Sequence, residues 1–94
     1  MPTVAVTLLA KPGCHLCDDA RTEVDRVVAE LPEGAVSVVE RNILEDSELF
    51  DRYAEEIPVV LIEGRVHTYW RVDGDRLRRA LDQARARCAL DREA

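Results

Sequence analysis

The sequence contains no apolar run that approaches the roughly 20 residues a helix needs to cross a lipid bilayer. Its first residues, Met1-Pro2-Thr3-Val4, also lack the basic segment, apolar core and small-residue cleavage site of a secretion signal. Internal repeats and low-complexity segments are absent as well. We therefore expect a soluble, cytoplasmic protein that has no membrane attachment.

Cysteine is scarce and odd in number, with 3 residues in a chain of 94. In a chain without a secretion signal, an odd number argues against a framework of structural disulfides and favours redox or metal use of some of the thiols. A chain of this length is expected to form one domain, residues 1–94, with a modest hydrophobic core.

Basic residues are in the minority, and the formal net charge at pH 7 is −6. Acidic side chains dominate residues 18–63, whereas arginines outnumber acidic side chains over residues 64–94. Because binding to a phosphate backbone needs a continuous basic surface, the acidic middle argues against nucleic-acid binding. We expect a monomer.

Short apolar runs alternate with amphipathic segments in an order that predicts β-α-β-α-β-β-α. The four predicted strands are Val4–Ala10, Ala35–Val39, Val59–Ile62 and Val66–Val72; the predicted helices run from Cys14 to Leu31, from Asp46 or Ser47 to about Glu56, and onward from Asp73-Gly74. A helix between two buried strands indicates that the first two strands are parallel. A short turn at residues 63–65 predicts an antiparallel hairpin whose last strand is an edge. The sequence thus predicts an α/β fold, a four-stranded mixed sheet with helices on both faces.

A Cys-x-x-Cys pair, Cys14 and Cys17, follows the first strand in the stretch LLAKPGCHLCDD, residues 8–19. Residues three apart share one face of a helix, so the two thiols can form a disulfide. The positive end of the helix dipole and the nearby Lys11 favour a thiolate at Cys14. These features predict that Cys14 is the exposed attacking thiol and Cys17 the partly buried resolving thiol. His15, inside the motif, is expected to tune the redox potential rather than act as a base.

Three other hypotheses remain open for these cysteines. They are inert structural thiols, half of a zinc site, or ligands of an iron–sulfur cluster that bridges two protomers at Cys14. A zinc site would need His15, His67 or Cys88 as further ligands, and the sequence has no second Cys-x-x-Cys pair. We assign no metal ligand. Cys88 falls on the apolar stripe of the last helix and is expected to be a core residue. Tyr69 and Trp70 are expected to pack.

Residues 7–17, TLLAKPGCHLC, resemble the active-site segment of glutaredoxins. The stretches DSELFDRY at residues 46–53 and IPVV at residues 57–60 are similar to the acidic helix and the proline-started strand of small bacterial glutaredoxin-like proteins of the thioredoxin superfamily. The resemblance covers nearly all of the chain. It implies a minimal thioredoxin fold, no cofactor, and exchange of disulfides with a protein or a small thiol. It also implies a cis peptide bond between Ile57 and Pro58, where the backbone of Ile57 would pair with an extended substrate.

Glutaredoxins that use glutathione carry a Gly-Gly turn and an acidic residue before the last helix. Here Gly74-Asp75 resembles that element, and Trp70 and Arg71 occupy the approximate place of the glycines. The resemblance therefore implies a set of substrate-binding residues consisting of Lys11, His15, Ile57, Pro58, Gly74 and Asp75. Glutathione is a possible co-substrate, although Asp73 and Asp75 would repel its carboxylates. The competing hypothesis is a thioredoxin-like binding module, or a metal-binding protein, without exchange activity.

Overall fold

A computed structural model of the chain describes residues 3–93. Its strands are β1 (Val4–Ala10), β2 (Val36–Asn42), β3 (Val59–Ile62) and β4 (Arg65–Tyr69), and its helices are α1 (His15–Ala29), α2 (Ser47–Tyr53) and α3 (Gly74–Glu93), with a single 3₁₀ turn at Ile43–Glu45. The order β-α-β-α-β-β-α is the one that the sequence predicts. Within residues 3–93, no helix is both long enough and apolar enough to cross a membrane.

The four strands form one mixed sheet in the order β2-β1-β3-β4. β1 and β2 are parallel, with Val4 opposite Val36 and Ala10 opposite Asn42. β3 is antiparallel to both β1 and β4. The predicted parallel pairing of the first two strands, the predicted hairpin and the edge position of the fourth strand are confirmed.

The core covers both faces of the carboxyl end of β1. Leu8 and Leu9 are each only 1% exposed, and successive strand residues point to opposite faces of a sheet. Both faces are therefore covered at this end, whereas Ala5, near the other end, is exposed. α1 and α3 pack against each other, and α3 also contacts β1. The covered end of β1 leads directly into the segment that contains the two cysteines.

Two predicted boundaries and one predicted environment are wrong. β2 was expected to be a buried strand over Ala35–Val39, but it runs from Val36 to Asn42 at an edge of the sheet, with Val38 and Val39 exposed. β4 ends at Tyr69 rather than Val72, because the next residue, Trp70, adopts a positive φ of 62°. That conformation does not continue a strand.

Helix boundaries also differ from the predicted ones at their ends. α1 begins one residue after Cys14, and Cys14 is its N-cap. α2 ends at Tyr53, three residues before the predicted end, and Phe50 in that helix is exposed. Of the seven residues of this helix, Tyr53 is the one that is buried.

Candidate active site

Cys14 lies in the connection between β1 and α1, directly before the first residue of the helix. Gly13 turns the chain with a φ of 75°, a conformation that glycine adopts at little cost. Cys14 itself is extended, with φ −101° and ψ 113°, and its Sγ accepts a hydrogen bond from the backbone N–H of Cys17 at 3.2 Å. The sulfur therefore occupies the N-cap position, where unpaired N–H groups and the helix dipole stabilise an anion.

Cys17 lies one turn further along α1 and is fully buried, whereas Cys14 is half-buried. Burial, first, and the neighbouring Cys14, second, together raise the pKa of the Cys17 thiol to about 11. The backbone N–H of Lys11 and the charge of Arg21 act in the opposite direction. The two thiols thus influence each other's protonation but differ in access to solvent, as attacking and resolving thiols require.

Arg21 is a charged neighbour of the cysteine pair that the sequence reasoning missed. Its guanidinium donates to Asp18 Oδ1 at 2.7 Å and to Glu40 Oε2 at 2.8 Å. These partners raise the pKa of Arg21, and the same hydrogen bonds lower the pKa of Glu40. The spacing of four residues between Cys17 and Arg21 was a signal that the two share a helix face. The position of Glu40 opposite Leu8 on the neighbouring strand was not visible before the register was known.

The peptide bond between Ile57 and Pro58 is cis, as the resemblance implies. Both residues are buried. The carbonyl of Pro58 accepts a hydrogen bond from the backbone N–H of Trp70 at 2.7 Å. By contrast, no hydrogen bond among residues 3–93 uses the N–H or the carbonyl of Ile57. The predicted pairing of Ile57 with a substrate backbone stays a prediction.

Tyr69 and Trp70, which were expected to pack, contact each other with ring centroids 6.1 Å apart, but both side chains remain exposed. The indole is 53% exposed, and its Nε1–H donates to the backbone carbonyl of Glu55 at 3.1 Å. The side chain lines a groove of about 270 Å³ between α1 and residues 70–72. The α1 wall of this groove consists of Leu16, Asp19, Ala20 and Glu23.

The remaining predicted substrate-binding residues fall into two groups. Lys11 and His15 are exposed; Lys11 precedes the cysteine pair and His15 lies between the two cysteines. Lys11 lines a small depression of about 150 Å³ with Pro12 and Gly13. Gly74 begins α3 and lies against Glu23, so close that a Cβ at this position would meet its carboxylate. Glu23 is about 12 Å along the helix axis from His15 at 1.5 Å per residue. The structure therefore does not bring Gly74 and Asp75 beside Cys14, and their binding role stays a prediction.

Cys88 lies in the C-terminal half of α3, away from the pair. It is half-buried against the core, and its thiol lies 3.1 Å from Glu63 Oε1, to which it donates. This hydrogen bond, with a second one from the backbone N–H of Ala5, lowers the pKa of Glu63. Within the part of the chain that the structure describes, no three His, Cys, Asp or Glu side chains form a group able to hold a metal ion.

Comparison with known proteins identifies the family that these features point to. The model of the family described as Glutaredoxin-like domain (DUF836) matches residues 5–82, a range that includes both cysteines of the pair and Pro58. An uncharacterised protein of Mycobacterium tuberculosis is 32% identical over 75 residues, which are 78% of this chain and 77% of that protein.

Two solved structures show the same fold. The X-ray structure of protein XcR50 from X. campestris is 30% identical, with a TM-score of 0.68 over 83% of this chain and 96% of that chain. Chloroplastic thioredoxin z, at 17% identity, has a TM-score of 0.73 over 89% of this chain and 80% of its own. The second likeness concerns the fold alone, and it identifies the four-stranded sheet with its helices as thioredoxin-like.

Proposed function

Since this chain belongs to the glutaredoxin-like domain (DUF836) family, we propose that it is a thiol–disulfide oxidoreductase that uses Cys14 and Cys17. The observation that carries the proposal is the position of the Cys14 sulfur. It caps α1, accepts a hydrogen bond from the backbone N–H of Cys17 at 3.2 Å, and lies close enough to the buried Cys17 thiol to raise the pKa of that thiol. An inert pair of structural thiols would not need one sulfur at a helix N-terminus and partly open to solvent.

Exchange proceeds in two substitutions at sulfur. The Cys14 thiolate attacks one sulfur of a substrate disulfide, so a mixed disulfide forms and the other substrate sulfur leaves as a thiolate. The Cys17 thiol then gives its proton to solvent or to the released thiolate, and its sulfur attacks Cys14 Sγ. The second substrate sulfur leaves, and the Cys14–Cys17 disulfide forms. Two electrons pass from the dithiol to the substrate, and an external thiol reductant returns the pair to its reduced state.

The first substitution prepares Cys17 for the second. In the reduced protein, the hydrogen bond with Cys14 and the charge of Cys14 both raise the pKa of Cys17. Once Cys14 is part of a mixed disulfide, its sulfur is neutral and can no longer act in this way. The charge of Arg21, which favours the Cys17 thiolate, remains. Arg21 is held for this role by Asp18 and Glu40.

The substrate in this proposal is a disulfide-containing protein or a small thiol, with glutathione as a candidate co-substrate. Lys11 and His15 flank the attacking sulfur, and the unused N–H and carbonyl of Ile57 would pair with the substrate backbone. Gly74 and Asp75 would contact only a substrate that reaches along α1. We place the protein in the cytoplasm, because reducing thiols there would regenerate the dithiol. We propose that it acts as a monomer.

A redox equilibrium of the purified protein tests the proposal. The fraction of the Cys14–Cys17 disulfide is measured against a graded glutathione buffer, with metal content assayed on the same sample. We expect one two-electron transition between about −270 and −120 mV. Thiols that resist oxidation, or that hold zinc or iron in stoichiometric amount, would contradict the proposal and favour a binding module or a metal protein.

Two variants make the result specific to the pair. Cys14→Ser should abolish the transition, because no second sulfur remains to close the disulfide. Cys88→Ser should leave the midpoint unchanged, because Cys88 contacts Glu63 on another part of the molecule. A transition that survives Cys14→Ser, or disappears in Cys88→Ser, would mean that the Cys14–Cys17 pair is not the redox-active disulfide.

A further inference from the structure

We propose that Trp70 is a specificity-determining residue and that the groove between α1 and residues 70–72 receives an extended polypeptide segment. That segment would carry a large apolar side chain next to its cysteine and a basic side chain beyond it. This inference rests on the proposed exchange function and names its substrate class. It is carried by the fixed orientation of Trp70, by the exposed apolar surface of Leu16 two residues after Cys14, and by the charges of the groove.

The orientation of Trp70 is fixed by both of its donor groups. Its backbone N–H donates to the carbonyl of Pro58 at 2.7 Å, and its indole N–H donates to the carbonyl of Glu55 at 3.1 Å. The left-handed backbone, with a φ of 62°, is unusual for a bulky residue. Because both N–H groups are already used inside the protein, the indole offers a substrate only its apolar ring surface.

Leu16 provides the facing apolar surface two residues after the attacking sulfur. It is 40% exposed and lines the groove together with Trp70 and Val72. A side chain next to the substrate cysteine would reach this surface when the substrate sulfur is at Cys14. Burying a large apolar side chain between Leu16 and the indole would favour such a substrate over one with a small polar residue there.

The charges of the groove favour a basic side chain over glutathione. Two carboxylates, those of Asp19 and Glu23, and one guanidinium, that of Arg71, line it. Glu23 is held by Arg26, whereas no ion pair or side-chain hydrogen bond among residues 3–93 engages Asp19. Glutathione carries two carboxylates and one ammonium group. It therefore has the same excess of negative charge as the groove lining and would be repelled by it. A lysine or arginine that reaches Asp19 complements them.

Peptide disulfides of known sequence test the inference. Each probe is a ten-residue peptide whose single cysteine is joined to thionitrobenzoate, with Leu or Ser next to the cysteine and Lys or Glu two residues further on. When Cys14 attacks the peptide sulfur, thionitrobenzoate leaves and is followed by its absorbance. Glutathionyl thionitrobenzoate is the small-thiol probe. We expect the reduced protein to react about tenfold faster with the Leu–Lys peptide than with the Ser–Glu peptide or with the glutathione probe.

Matched variants assign the preference to residues. Trp70→Ala should bring the Leu-to-Ser ratio close to one, whereas Phe50→Ala, which removes another exposed aromatic ring from α2, should keep it. Trp70→Gly, which suits the positive φ, checks that a loss of preference is not a loss of folding. Asp19→Asn should remove the Lys-to-Glu preference alone.

The outcomes separate this inference from the proposed function. Equal rates with all peptides, a preference for the glutathione probe, or an unchanged ratio in Trp70→Ala would overturn the inference while leaving exchange intact. If thionitrobenzoate release is no faster than in Cys14→Ser, the exchange function fails, and the inference fails with it.

Discussion

Cys14 and Cys17 are separated by two residues, yet their sulfur atoms are in different surroundings. Cys14 precedes the first turn of α1 and is half-buried, whereas Cys17 points from that turn into the core. Burial disfavours the charged form of a thiol, and a helix N-terminus favours it. One motif therefore contains a thiol that solvent can reach and a buried thiol whose pKa is raised.

The raised pKa of Cys17 predicts how the native, reduced protein reacts with iodoacetamide. Since the pKa is about 11 in the reduced protein, and burial, its largest cause, persists after Cys14 is alkylated, Cys17 should react much more slowly than Cys14 near pH 7.5. Cys14 should be modified first, as read by mass spectrometry of the digested protein. In concentrated urea the difference should vanish, because burial is lost. Equal modification of both residues in the native protein at pH 7.5 would contradict the assignment.

The lowered pKa of Glu63 predicts that the stability of the protein depends on pH. The thiol of Cys88 and the backbone N–H of Ala5 hydrogen-bond its carboxylate and hold its pKa below the ordinary value of 4.5. The unfolded chain therefore binds this proton at a higher pH than the native protein. The contribution to stability is fully present above pH 4.5 and is lost as the pH falls through the lower, folded value.

The measurement compares urea unfolding of Glu63→Gln and of the unchanged protein at pH 7 and pH 3.5. We expect the variant to be less stable at pH 7 and the difference to shrink at pH 3.5. Glu33→Gln, an exposed glutamate in another turn, is the control and should change neither value. A deficit of Glu63→Gln that is constant across this range would mean that the carboxylate charge is not what matters.

At the scale of single elements, caps decide where the short helices begin. Asp46 precedes α2, and its Oδ1 accepts the backbone N–H groups of Glu48 at 3.0 Å and Leu49 at 3.2 Å. A helix of seven residues has few internal hydrogen bonds, so it depends strongly on its cap. α2 in turn contributes Tyr53 to the core.

Removing this cap should lower the free energy of unfolding. We expect Asp46→Ala to cost about 1 kcal/mol and Asp46→Asn much less, because asparagine can also cap. Asp51→Ala, an exposed position in the same helix, is the matched control and should change stability by less than about 0.5 kcal/mol. Urea titration at neutral pH measures all three. Equal effects of Asp46→Ala and Asp51→Ala would refute the capping role.

At the scale of the whole molecule, one small core joins the sheet to α1 and α3. Gly74 has no Cβ, and this lets the start of α3 lie close to α1. A Cβ at this position would meet the side-chain ends of Glu23 and Arg26. Further along α3, Leu77 and Leu81 are fully buried. A domain of this size has a net stability of only about 5–15 kcal/mol, so each fully buried leucine is a large share of it.

Truncation of a core leucine should therefore be severe. We expect Leu81→Ala to cost about 2–5 kcal/mol, through lost burial and the cavity that remains. Leu44→Ala removes the same atoms from a position that is 57% exposed and should cost far less. Thermal and urea unfolding of both variants measure the difference. Similar losses at the two positions would mean that α3 does not complete the core.

The sequence by itself determined the order of elements, the mixed sheet, the placement of Cys14 and Cys17 after the first strand, and the resemblance to glutaredoxins. These follow from local periodicity, from turn residues and from the spacing of two cysteines, all of which act over a few residues. For the same reason the hairpin at residues 63–65 and the start of α2 were predicted close to their observed positions.

Only the tertiary structure decided which surfaces are covered. The runs at residues 35–39 and 69–70 are apolar in sequence, but β2 is an edge strand and Trp70 leaves the sheet with a positive φ, so both remain partly in solvent. The partners Arg21–Glu40 and Cys88–Glu63 are distant in sequence and meet through strand register and helix packing. Burial and such long-range contacts depend on the whole chain at once, so no local pattern contains them.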